Sequence, residues 1–341
     1  MNSLYTKYRP NNWSEVIGQD SIVKILKQQI DTNHIFNCMI FSGVSGTGKT
    51  TVARIYANYL NKNEGFPIEI DAASNNSVDS VRQIVATATE RSLNSKYKVY
   101  IIDEAHMLSV QAWNAFLKCI EEPPKYTVFI FCTTDPHKIP ETIQNRCMRF
   151  NFRRVNSELV YQRLDYICNN EKDPVIQNWK STIDYISRNC DGEVRKAISM
   201  LETCIHYDSD MTIDKSLVAL SNSSYDIMFS LVNSIIDGND KSILSIIDNL
   251  YDDGVDLKRF IEDFTVFCLD IFKYILTESI YSTKIPESYE ENIKFAIGFD
   301  NVKSYYNYIV DNLLELKSML KYDTNEKTTV EIFLNKMCRF A

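Results

Sequence analysis

The chain has 341 residues, 45% of them hydrophobic and 24% charged, with a formal net charge of −8. That is enough for two or three domains, each with its own core, and the composition excludes wholesale disorder. The acidic balance excludes a protein coated in basic surface for non-specific nucleic-acid binding, so any such contact must be local, concave or shared with partners.

The N-terminus, MNSLYTKYRP, lacks the apolar core of a signal peptide, and no apolar run approaches membrane-spanning length. A soluble, intracellular (cytoplasmic) protein with no membrane partner is the expectation. From there to about residue 155, apolar strand-like runs alternate with amphipathic stretches. Cys38–Ser42 reads as a strand, and the helical pattern Lys49–Asn61 follows it. A strand at Ile68–Ala72 precedes a helix at Val78–Arg91, and a strand at Lys98–Asp103 precedes a helix at Val110–Glu121. Strands at Val128–Thr133 and Met148–Phe152 close the series. This alternation predicts an α/β domain with a parallel sheet covered by helices on both faces. From about Ser157 the pattern is helical. A short segment ends in the polar stretch Ser221 to Ser224, which reads as a linker. Beyond it, Phe260, Phe264, Phe267 and Ile271, then Leu313, Leu316 and Leu320, recur at helical spacing, as bundle core does. The expected division is 1–155 α/β, 156–221 small helical, and 222–341 helical bundle.

Two stretches carry chemistry. GVSGTGKT, Gly43 to Thr50, fits GxxxxGK[ST] between the strand CMIFS and a helix. Its glycines let backbone N–H groups curl around phosphate, and the helix N-terminus adds a favourable field. Gly43, Ser45, Gly46, Thr47 and Gly48 would form the cradle, with Thr51 following it. Lys49 would reach the β- and γ-phosphates, and Thr50 would ligate magnesium. KVYIIDEAH, Lys98 to His106, reads as a buried strand ending in two acids at its carboxyl edge, where open α/β sheets bind ligands. Asp103 would hold magnesium through water, and Glu104 would orient and polarise an attacking water. The plainer alternative is an acidic loop after a core strand.

Nine cysteines are scattered singly from Cys38 to Cys338 without a CxxC pair. They read as buried, reduced thiols and not as a zinc or disulfide framework.

With these motifs placed, further stretches resemble the clamp-loader branch of the AAA+ ATPases. YTKYRPNNWSEVIGQD is similar to the family's N-terminal segment around adenine, which implies a base pocket from Tyr5, Arg9, Pro10, Val16 and Ile17. IEIDAASNN, DEAHMLS, FLKCIEEPP and TTDPHKIPETI are similar to the bacterial gamma/tau subunits. The resemblance implies an AAA+ nucleotide domain, a small helical lid and a helical collar. It places Thr134 as sensor 1, Arg195 in GEVRKAISML as sensor 2, and Arg146 in NRC as a finger acting on a neighbouring subunit. Both arginines also read as surface salt-bridge partners.

Asn145 departs from the family's usual serine, and the short connection from Ala57 to Ile68 lacks the family's cysteine-rich zinc module. No structural zinc, and no counterpart of the long extension of full-length tau, is expected. Asn75, Asn76 and Ser77, opening the helix at Val78, match the family's DNA-facing positions. Arg82 lies one turn on, and a plain capping sequence is the alternative. The implied function is an ATP- and magnesium-dependent motor subunit of a sliding-clamp loader. Its implied partners are the clamp, primed DNA and other loader subunits in a hetero-oligomeric, pentameric ring. A non-hydrolysing structural subunit and a Holliday-junction translocase are the rivals. The asparagine, isoleucine, lysine and tyrosine content suits an AT-rich genome, and the expected trimmed architecture suits a small one, such as a phage's.

Overall fold

The computed structural model describes residues 3–92, 94–172, 175–220, 225–323 and 325–338. The stretch Ser221 to Ser224, expected as a linker, lies outside them. The chain divides into two compact units, Met1–Lys172 with Ile186–Glu202, and Asp173–Tyr185 with Thr203–Ala341.

In chain order the first unit carries α1 (Leu4–Lys7), α2 (Asp20–Asp31), β1 (Cys38–Ser42), α3 (Lys49–Leu60), β2 (Ile68–Asp71) and α4 (Val78–Ala88). It continues with β3 (Lys98–Asp103), α5 (Val110–Glu121), β4 (Thr127–Thr133), α6 (Glu141–Gln144), β5 (Met148–Asn151) and α7 (Ser157–Asn170). The boundary between the units runs through α8 (Lys180–Asn189) and α9 (Val194–Tyr207).

The five strands form one sheet in the order β2-β3-β4-β1-β5, with every pairing parallel. A parallel sheet is covered on both faces, so its central strands must be apolar throughout. Every residue of β1 and β4 is buried, whereas the edge strands β2 and β5 are largely exposed. Alternate residues of one strand feed opposite cores. Met39 and Phe41 pack with Val52 and Tyr56 of α3, while Cys38 and Ile40 pack with Trp113 and Phe116 of α5. Side chains stop the flanking helices from fraying at their starts. Ser77 accepts from Ser80 N at α4 and Ser109 from Ala112 N at α5. The expected strands and helices of this region are present, with ends differing by up to three residues.

The second unit contains α10 (Ile213–Ala219), α11 (Tyr225–Ile236), α12 (Asp240–Asp252), α13 (Leu257–Thr277), α14 (Glu290–Ala296), α15 (Val302–Leu320) and α16 (Glu326–Cys338). The aromatic stripe of α13 is core, since Phe260, Phe264, Phe267 and Ile271 are all buried, as are Leu313, Leu316 and Leu320 of α15. One carboxylate sits in this core. Asp270 is 1% exposed. It is satisfied by Lys273 Nζ at 2.6 Å and by the Lys284 backbone N–H at 2.9 Å, the pairing that burial of a charge demands. Among the described residues no helix is long and apolar enough to cross a membrane.

Candidate active site

A cavity of ≈440 Å³ opens where the chain leaves β1 and β3, at their carboxyl ends. Its walls all belong to the first unit. The loop after β1 is shaped by two glycines that nothing else can replace without strain. Gly43 has φ 146°, and a Cβ there would lie 2.4 Å from the Phe152 carbonyl oxygen. Gly48, at the N-terminus of α3, has φ 98°, and a Cβ built on it meets nothing within 4 Å, so it faces open space. With φ positive at Gly43, Gly46 and Gly48, the backbone takes the curled course of a loop suited to an anion.

Lys49 opens α3 and is 7% exposed. Its Nζ donates to the Gly43 and Val44 carbonyl oxygens, each at 2.9 Å. Burial lowers its pKa from the ordinary value, opposed by the carboxylates of Glu104 and Asp103. Among the described residues only these carbonyls hold the buried ammonium, so an anion placed beside it would supply the missing counter-charge. Thr50 Oγ1 donates to Asp103 Oδ2 at 2.8 Å, and the Glu104 N–H binds Asp103 Oδ1 at 3.1 Å. Magnesium takes octahedral oxygen ligands at about 2.1 Å, which sets adjacent ligands about 3 Å apart. The Thr50–Asp103 pair already has that spacing.

Glu104 follows β3 in a left-handed conformation, φ 47° and ψ 42°, unusual for a residue with a Cβ. That twist turns its carboxylate toward the end of β4. Thr134 Oγ1 donates to Glu104 Oε2 at 3.4 Å, and His106 Nδ1 lies 3.3 Å from the same oxygen.

The N-terminal segment closes the other side. Arg9 Nε donates to Thr51 Oγ1 at 3.2 Å. Its pKa is lowered by burial and then by Arg54. Tyr5, Pro10, Val16 and Ile17 line the cavity with it. Arg195, near the start of α9, places its guanidinium carbon 4.7 Å from the Tyr5 ring centroid, a cation–π contact. The α9 start also abuts the loop, because a Cβ on Gly46 would lie 3.3 Å from Arg195 Cβ. Glu202, two turns along α9, binds Ser3 Oγ at 2.8 Å and Leu4 N at 2.9 Å, tying the segment to that helix.

Of the residues expected at the nucleotide, those in Ser45 to Thr51, with Asp103, Glu104, Arg195 and the five of the base pocket, line this one cavity. Gly43 and Thr134 stand just behind it. Arg146 does not line it. Its Nη2 pairs with Glu121 Oε1 at 2.8 Å and its Nη1 donates to Thr142 O at 2.7 Å, on an exposed surface. The expected DNA residues are exposed at the start of α4. Asn75 Nδ2 donates to Asp71 O at 3.1 Å, Ser77 caps the helix, and Arg82 pairs with Asp79 at 3.1 Å. Asn76 is exposed beside them. Capping is therefore a role Ser77 performs. Sequence reasoning missed Tyr8, Glu15, Arg163 and Ile198 of the cavity wall, and His106 beside Glu104. Arg163 has no motif to mark it, since it acts through the Tyr8 carbonyl at 2.6 Å.

Eight of the nine cysteines are buried, and all are free thiols. Among the described residues no three His, Cys, Asp or Glu side chains are grouped to hold a metal ion. Within the stretch Ala57 to Ile68, α3 ends at Leu60 and β2 begins at Ile68.

A family model described as DNA polymerase III, delta subunit, matches residues 66–156. The DNA polymerase III subunit tau of Bacillus subtilis is 31% identical over 99% of this chain, and the gamma/tau subunit of Mycoplasma genitalium 31% over 92%. The chain spans 63% and 55% of the length of those two relatives. The DNA polymerase III subunit gamma of Buchnera aphidicola from Acyrthosiphon pisum is 28% identical, with 97% of each chain covered. Among solved structures, the Thermotoga maritima RuvB Holliday junction branch migration motor superposes with a TM-score of 0.53 at 17% identity, covering 67% of this chain and 80% of that one. That likeness shows the fold alone. The identity running along almost the whole length, on a five-stranded parallel sheet with a phosphate loop, places the chain in the DNA polymerase III gamma/tau family of AAA+ proteins.

Proposed function

We propose that this chain is an ATP-hydrolysing motor subunit of a DNA sliding-clamp loader. The observation that carries the reading is the gathering of Lys49, Thr50, Asp103, Glu104 and Arg195 around one cavity. In this reading the loop amides and Lys49 grip the β- and γ-phosphates, and Tyr5, Arg9, Pro10, Val16 and Ile17 enclose the base. Thr50 and Asp103 would hold magnesium, which when bound offsets charge on the phosphate oxygens. Glu104 draws a proton from the attacking water while Thr134 fixes its carboxylate. Arg195 senses the phosphates from α9. Arg146 leaves its partner Glu121 to enter the site of a neighbouring subunit.

The division into an α/β domain over 1–155, a lid over 156–221 and a collar over 222–341 belongs to the same reading. So does a pentameric assembly with other loader subunits, in which Asn75, Asn76, Ser77 and Arg82 face primed DNA in the cytoplasm. A non-hydrolysing structural subunit is disfavoured by intact Lys49, Thr50 and Glu104. The stretch matched to the delta-subunit model begins at Phe66, downstream of the phosphate loop, so it does not bear on those residues. A junction-migrating motor would need a winged helix, which includes strands. Among the described residues from Tyr225 onward there are only helices and turns.

The test is ATP turnover by the chain with its clamp and loader partners. Primed DNA plus clamp should stimulate it, and four-way junction DNA should not. Stimulation by junctions alone would sink the clamp-loader reading.

A further inference from the structure

The Glu104 side chain is partly open to solvent, 42% accessible, yet the proposed chemistry requires one orientation. Three groups converge on a single one of its oxygens or on the group that holds it. Thr134 Oγ1 donates to Oε2 at 3.4 Å, and His106 Nδ1 lies 3.3 Å from Oε2. Thr133 Oγ1 lies 3.3 Å from the same Nδ1 and accepts the Asp135 N–H at 3.0 Å. A carboxylate oxygen only accepts, so in the tautomer that lets His106 bond Glu104 it is Nδ1 that carries the proton. That Nδ1–H faces both Glu104 Oε2 and the buried Thr133 hydroxyl oxygen, which has a second lone pair for Asp135. Among the described residues no bond is made to Glu104 Oε1, the oxygen left to meet water.

We propose that His106 is a positioning residue for Glu104, holding Oε2 against the end of β4 so that Oε1 faces the water to be activated. This rests on the motor reading above and names a further residue of that same site. The turn Ala105–Met107 carries the ring, and the buried Ala105 and Thr133 fix where it can point. The imidazole therefore ties the strand that bears the acids to the strand that bears Thr134.

The geometry sets the choice of variants. The Asn amide nitrogen takes nearly the place of Nδ1, whereas the Gln amide reaches the place of Nε2 instead. His106→Ala and His106→Gln should lower kcat about tenfold, within the ~10²-fold that a 1 Å misplacement costs, with KM changed less than about twofold. His106→Asn should recover most of that loss. A second readout needs no turnover. In histidine-labelled chain at pH 8, the His106 resonances should report the Nδ1–H form and shift in Glu104→Ala. Unchanged kcat in His106→Ala, failure of His106→Asn to recover it, or a His106 signal indifferent to Glu104→Ala would each overturn the assignment. So would loss of ATP-analogue binding with the melting temperature, because that marks a structural role. If wild-type protein shows no stimulated turnover, the motor reading fails, and the resonance arm still decides whether His106 holds Glu104.

Discussion

At the residue scale, the motor reading separates gripping from chemistry, and two substitutions should separate them experimentally. Lys49 is a buried ammonium that, among the described residues, bonds the Gly43 and Val44 carbonyls alone. Lys49→Ala removes the cation from the phosphate end of the cavity, so nucleotide affinity should fall at least about tenfold and turnover should vanish, while the fold persists. Isothermal titration with ATP, alongside a thermal melt, checks both halves. Glu104 does not hold the loop. Glu104→Gln keeps the acceptor for Thr134 and His106 but cannot take a proton, so ATP should bind with near wild-type affinity and persist. A rate within about threefold of wild type would remove Glu104 from the chemistry, since a positioned general base contributes about 10²–10⁴. Lys49→Ala and Glu104→Gln thus predict opposite outcomes in the same binding assay.

At the element scale, the loop between β1 and α3 is crowded by two strand ends. Gly43 N donates to Thr133 O at 3.2 Å, and Phe152 N to Ser42 O at 2.7 Å, so β4 and the residue after β5 pinch the loop's first residue. Gly43→Ala forces a Cβ against the Phe152 carbonyl as well as an unfavourable φ. The cost should be at least about 2 kcal/mol, which lowers the melting temperature by about 4 °C or more. A melting temperature equal to wild type would show that β5 gives way easily. Gly48 offers a contrast, since a Cβ there meets no atom and only the φ penalty applies. The N-terminal segment is an element of the same kind, defined by what it touches. It reaches α9 through Glu202, α7 through Arg163 and α3 through Arg9.

At the scale of the whole molecule, the motor reading makes the isolated chain an incomplete enzyme. Arg146 pairs with Glu121 on its own surface and lies outside the cavity lining. Arg146→Ala should bind ATP normally and hydrolyse it slowly, because an arginine finger contributes about 10³–10⁵ in rate. Mixing that variant with excess Glu104→Gln chain should restore turnover, since the second chain brings the missing arginine. Lack of recovery in mixtures shown to co-assemble would leave Arg146 as a salt-bridge partner. The zinc expectation also belongs to this scale. Elemental analysis of purified protein should find zinc well below one per chain, and a stoichiometric amount that resists chelator would mean that distant cysteines assemble a site.

How much was legible in advance follows from how local each feature is. The five strands, the phosphate loop and the acids after β3 are written in contiguous residues. Buried parallel strands must be apolar runs, and a phosphate cradle needs its glycines and lysine at fixed spacing. The helical stripes of α13 and α15 are local in the same sense. Tertiary structure decided what depends on residues far apart in the chain. The strand order, with β4 beside β3, brings Thr133 and Thr134 against the turn after β3, and so sets His106 on Glu104. The seating of α9 against the loop turns Arg195 onto Tyr5, and the pairing of Arg146 with Glu121 joins residues separated by a strand. The sequence by itself determined which groups the site possesses, because backbone-cradled phosphate chemistry is encoded in short spacings. Only the folded chain decided which oxygen of Glu104 is held and which is left free, because that depends on hydrogen bonds between groups up to 30 residues apart.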